Sequence, residues 1–105
     1  MRHETRVKIN GRWWKIRLVQ ARELPRDALG DCDHPPGRHP TIRVRRNLRG
    51  KKLIEVVAHE VIHACLASLD EQAVTDTGIA IGKVLFSLGY RKTPIQSKTI
   101  SRSKQ

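Results

Sequence analysis

The stretch Ala58–Asp76, AHEVIHACLASLDEQAVTD, holds the residues with the most chemistry in this chain: His59 and His63 four apart, Glu60 after the first, and Asp70 and Glu71 just beyond. One helical turn separates the two histidines, so their imidazoles project from the same face and reach a single divalent ion. Glu60 lies beside that ion without binding it, where a general base for a metal-activated water belongs. With five His and five Glu in 105 residues, random placement yields only ~0.01 copies of such a motif. Two imidazoles and a carboxylate also interrupt an otherwise apolar helix, and burying them without partners costs on the order of 2 kcal/mol each.

A catalytic zinc takes three protein ligands and keeps a fourth position open. No histidine follows His63, so the third donor is not a downstream imidazole, and the acids just beyond are the candidates. Glu71 is the first candidate, because it opens the next helix after a tight turn that folds that helix back. Asp70 is the second, with a competing role as helix N-cap, and Asp76 is the third. Asp70 or Asp76 could instead fix a histidine tautomer through its ring N–H. One zinc ion per chain is expected.

The elements that must position these residues are legible from periodicity. RVKI and WWKIRLV flank Asn10-Gly11, the signature of a hairpin with a type I′ turn. Val7 and Ile9 are expected to face the core, as are Trp14, Ile16 and Leu18, while Lys15 and Arg17 face outward. Residues 23–29 suggest a short helical turn, and GDCDHPPGRHP a loop. TIRVRR resumes the two-residue period as a third strand with an exposed edge. From about Lys51 to Ser68 apolar residues surround a helix, which predicts burial on all sides. A second helix, roughly Glu71 to Leu88, places Val74, Thr77, Ile81, Val84, Leu85 and Leu88 on one stripe, with Gly78 and Gly82 allowing close approach to a neighbour. The expected fold is α+β: a small sheet of three strands, or four, on two main helices, forming one domain over residues 1–90. Residues 91–105, RKTPIQSKTISRSKQ, are expected to be a flexible basic tail.

VVAHEVIHACLASLDEQAV resembles the zincin metallopeptidases, and the acid after HEVIH is similar to the compressed gluzincin arrangement of small phage and bacterial metallopeptidase-like domains. The resemblance covers roughly residues 41–90 and implies a zincin-like fold and a zinc-dependent peptidase. It implies zinc binding by His59, His63 and Glu71 and water activation by Glu60. It also implies that the strand before the motif helix binds an extended peptide along its edge, which maps onto Thr41, Ile42, Arg43, Val44 and Arg45. No substrate-binding subdomain is expected within residues 91–105, and for oxyanion stabilisation only Tyr90, His34 and His39 suggest themselves.

Charge adds a second theme. The formal net charge is +11, distributed as +10 over residues 1–52, −4 over 53–90 and +5 over 91–105. The acids gather around the motif, while the basic remainder would attract a polyanion such as nucleic acid. A class rival to the peptidase is therefore a non-catalytic zincin-fold protein that binds nucleic acid or a protein partner and retains the zinc. No apolar run reaches the ~20 residues of a membrane span, and the charged start, MRHETRVKIN, lacks a signal-peptide core. A cytoplasmic location with no membrane partner is expected. Cys32 and Cys65 are expected to be free thiols, Cys32 in a loop from which it could cap the zinc, Cys65 in the core. One of Trp13 and Trp14 must point to the less buried face of its strand. The basic tail could fold over the site as an inhibitor.

Overall fold

The computed structural model describes residues 3–34 and 37–91. Of the expected tail, residues 91–105, all but Arg91 lies outside them, and so does any inhibitory role for it. The chain forms an α+β fold in which strands β1 (Glu4–Ile9), β2 (Arg12–Val19), β3 (Gly30–Cys32) and β4 (Thr41–Arg45) precede helices α1 (Gly50–Cys65) and α2 (Glu71–Ser87). The sheet order is β1-β2-β4-β3, with β2 and β4 parallel and the outer pairs antiparallel.

The hairpin forms as expected: Asn10 and Gly11 both have positive φ, at 50° and 80°, which a type I′ turn requires. Asn10 also donates its side-chain amide to the Cys65 carbonyl at 3.0 Å, satisfying one of the free acceptors at the end of α1. The turn thereby anchors the motif helix.

The sheet has four strands, the larger of the two expected counts. Gly30–Cys32, expected as loop, pairs with β4 in the register Gly30↔Val44, Asp31↔Arg43, Cys32↔Ile42. Three residues without a β-branched side chain carry little strand signal of their own; β4 offers unpaired backbone groups, and β3 satisfies them. Arg43 secures the pairing, its Nε donating to Asp31 at 2.7 Å and its Nη2 to Asp33 at 2.6 Å. The expected exposed edge at Thr41–Arg45 is therefore corrected: β4 is interior, with β2 on one side and β3 on the other. Ile42 and Val44 are fully buried and Arg43 is engaged by two carboxylates. The sheet's edges are β1 and β3.

Period-two alternation divides the sheet into two faces. Trp14, Ile42 and Val44 form the core with Leu53 and Val56 of α1, and Ile16 and Leu18 pack against it. Trp13 points the other way and is 54% exposed, against 2% for Trp14. Val7, although expected in the core, is exposed, because β1 is an edge strand that meets β2 and makes no comparable contact with the helices.

Helix α1 lies on the sheet and α2 on α1. The expectation that α1 is buried all round is corrected to a half-buried helix whose fully buried positions are Leu53, Val56 and Glu60. The face of α2 that packs inward is Val74, Gly78 and Gly82; Thr77, Val84 and Leu88 of the expected stripe are exposed. The two glycines decide this rotation. A Cβ on Gly78 would sit 3.2 Å from the Glu55 carbonyl oxygen, and one on Gly82 3.2 Å from Glu55 Cβ, so only glycine lets the two backbones come this close. Among the described residues, no helix is long and apolar enough to cross a membrane.

Candidate metal centre

The close helix pair determines where α2 begins. Leu66 ends α1 by donating its N–H to Ile62, Leu69 donates to the Leu66 carbonyl at 2.9 Å, and Asp70 starts α2 by accepting the Ala73 N–H at 2.8 Å. Asp70 thus serves as the N-cap, which orients the next residue, Glu71, toward the histidines. Glu71 Oε2 lies 3.1 Å from His59 Nε2 and Oε1 lies 3.1 Å from His63 Nε2. The two Nε2 atoms are 3.2 Å apart, with the rings edge to face. Asp76 lies a turn further along and accepts from Gln72 at 2.9 Å. Among the described residues, His59, His63 and Glu71 are the group whose donor atoms converge closely enough to hold a metal ion.

The contacts among these three residues fit a cation better than they fit hydrogen bonds. A carboxylate only accepts, so both Nε2 atoms would have to donate to Glu71; they would then face each other as two donors at 3.2 Å. If either nitrogen is instead the acceptor, its lone pair confronts a carboxylate oxygen. No pair of neutral tautomers satisfies all three contacts, whereas one divalent ion between them does. Donors about 2.0–2.2 Å from a shared ion at tetrahedral angles stand roughly 3.3 Å apart, close to the separations found. Two imidazoles and a carboxylate are also an established zinc donor set.

Glu60 lies beneath this cluster, 7% exposed. Its side chain packs over Gly30, where a Cβ would fall 3.3 Å from Glu60 Cγ, 3.0 Å from Val56 Cγ1 and 2.9 Å from the Arg43 carbonyl oxygen. Burial, then the charges of Asp31 and Glu71, push its carboxyl up to about 7. Desolvation by apolar neighbours and repulsion from nearby carboxylates both oppose ionisation.

Glu60, His59, His63 and Glu71 line one open cavity of about 400 Å³, bordered by Gly30–Cys32 and His34. His34 is thus the one of the three oxyanion suggestions at the cavity; His39 does not line it, and Tyr90 is exposed just beyond α2. Cys32 borders the cavity from β3 and not from a loop. Burial, then the charges of Glu60, Asp33 and Asp31, push its thiol up to about 12.

Sequence reasoning missed the wall opposite the helices. Leu29 accepts from Arg45 N–H and Asp33 donates to the Thr41 carbonyl. By the alternation of an antiparallel ladder, the amides and carbonyls of Gly30 and Cys32 therefore point to the open edge, along the cavity. The one available signal was Asp31 and Asp33, spaced to bracket Arg43. Thr41–Arg45, expected at the site, lies behind this strand.

No protein-family model, curated protein or solved structure matches this chain.

Proposed function

We propose that this protein is a zinc-dependent peptidase of gluzincin type. The observation that carries the proposal is the convergence of His59, His63 and Glu71 within hydrogen-bonding distance of one another, with Glu60 buried beside them in the same cavity. His59, His63 and Glu71 would hold the ion, which when bound supplies Lewis-acid polarisation of a carbonyl and a water of lowered pKa. Glu60 takes the proton from the attacking water and passes it to the leaving amine. A carboxyl that titrates near neutrality suits both transfers. Its burial keeps the carboxylate poorly solvated and therefore basic.

The open edge of β3 is where an extended peptide would pair, because Gly30 and Cys32 point unpaired backbone groups along the cavity. Gly30 keeps that wall low enough for a peptide to approach Glu60. This role belongs to β3 because β4 has no free edge.

The test is metal content by elemental mass spectrometry, paired with hydrolysis of a mixed peptide library by wild type and Glu60→Gln. One zinc per chain in both proteins is expected, with cleavage by the wild type reduced at least ~100-fold in the variant, since general base catalysis contributes about 10²–10⁴. Protein that is folded yet takes up no zinc would overturn the proposal. So would cleavage undiminished in Glu60→Gln.

A further inference from the structure

The face of the sheet turned away from the helices has a composition that the metal centre does not explain. Alternation along β1 and β2 brings Arg6, Lys8, Trp13, Lys15 and Arg17 to this face, with Lys8 directly opposite Trp13 and Arg6 directly opposite Lys15. Like charges directly opposite across a ladder repel, so the fold accepts a cost here. Glu4 offsets it in part, 3.8 Å from Lys15 and 3.6 Å from Arg17. Among the described residues neither Arg6 nor Lys8 has an ion-pair partner. Trp13 is more than half exposed, the Lys8 ammonium stands 5.9 Å from its ring, and Trp13 and Arg6 line a shallow hollow of about 390 Å³.

We infer that this outer face binds single-stranded nucleic acid, with Trp13 stacking on an unpaired base while Arg6, Lys8 and Lys15 neutralise adjacent phosphates. A flat basic surface carrying an exposed aromatic ring offers what a single strand needs: charge along the backbone and a π-face for a base. Same-face cations along one strand stand about 6.7 Å apart, a spacing that an extended sugar–phosphate chain can follow. A duplex keeps its bases stacked inside and has nothing to place on the indole. An acidic protein surface has no planar base to offer, and an anionic membrane calls for more apolar side chains than one. The inference is independent of the metal centre, since α1 lies on the opposite face of the sheet.

The test is fluorescence anisotropy with labelled oligodeoxythymidine and oligouridine of about ten nucleotides, within the usual site sizes. A duplex of equal length and anionic phosphatidylserine vesicles serve as competitors, and circular dichroism checks that each variant is folded. Wild type should bind both single strands and show quenched tryptophan emission. Trp13→Ala should lose the quench and weaken binding roughly 5- to 100-fold with an unchanged salt slope, and Trp13→Phe should recover most of the affinity. Arg6→Ala with Lys8→Ala should flatten the slope of log K against log salt by about 1.4. Equal affinity for the two oligonucleotides identifies phosphate and base stacking as the whole interaction, and tighter oligouridine binding adds a contact to the 2′-hydroxyl. Absence of binding at low salt overturns the inference. Affinity that Trp13→Ala leaves unchanged, or a duplex or vesicle that competes better than the single strand, also overturns it.

Discussion

The cavity between α1, α2 and β3 and the outer face of the sheet are opposites in charge and in construction. The cavity collects Asp31, Glu60 and Glu71 in a concavity that, among the described residues, no lysine or arginine lines. The outer face displays Arg6, Lys8, Lys15 and Arg17 on an open surface with Glu4 among them. In the first, two half-buried histidines and an exposed glutamate are held at 3.1–3.2 Å by two helices; in the second, long exposed side chains are placed only by the alternation of a ladder. The difference teaches where precision comes from. A coordination site needs converging elements, whereas a polyanion surface needs only one strand pair and the correct parity.

The sharpest way to break the contrast is to remove a donor. His63→Ala should lower zinc affinity by more than the ~10–100-fold that loss of a mere supporting partner costs, as read by competition with a chromogenic chelator, while leaving oligonucleotide affinity unchanged. A parallel fall in both would mean that the two regions are not independent. Gly78→Leu tests whether helix approach sets the site: the added side chain must displace the α1 backbone, costing about 1–3 kcal/mol in denaturant unfolding and weakening zinc binding with it. Tight zinc binding in that variant would show that Glu71 is positioned without close helix packing.

Glu60 sharpens the comparison through pH. Its carboxyl is raised in the folded state to about 7, so between its unfolded value and 7 the native protein binds more protons than the unfolded chain. Stability of the chelator-treated protein should then fall as pH rises through that window. Glu60→Gln removes the titration and should stabilise the metal-free protein at pH 8 by about 1–2 kcal/mol relative to wild type, with little difference at pH 4; equal pH dependence in both would contradict the buried carboxyl. The smallest expected effect is that of Asp70→Ala, about 1 kcal/mol from the lost cap, measured by thermal unfolding together with a modest drop in zinc affinity as the first turn of α2 frays around Glu71.

Most of what the sequence revealed is local. Asn10-Gly11 specified its turn because only a few residues accept positive φ, and the hairpin, both helices and the Asp70 cap followed from patterns a few residues long. The spacing of His59, Glu60 and His63 on one helix, and the candidacy of Glu71 one position after a cap, were legible for the same reason. The burial of α1 was over-read because its apolar residues divide between the sheet on one side and α2 on the other, leaving most of them half exposed.

What only the tertiary structure decided was pairing at a distance. Gly30–Cys32 becomes a strand because β4 needs a neighbour and Arg43 finds Asp31 and Asp33, a long-range match that three residues cannot announce. That one pairing moved the open edge from Thr41–Arg45 to β3, placed Gly30 beneath Glu60 and completed the cavity. The rotation of α2 likewise turned on how closely Gly78 and Gly82 could approach Glu55, which hydrophobic periodicity does not encode. Donor identity and helical spacing are properties of a segment and can be read from it. Edges, walls and the meeting of Glu71 with two histidines belong to contacts between segments, whose energies exist only once the chain has closed on itself.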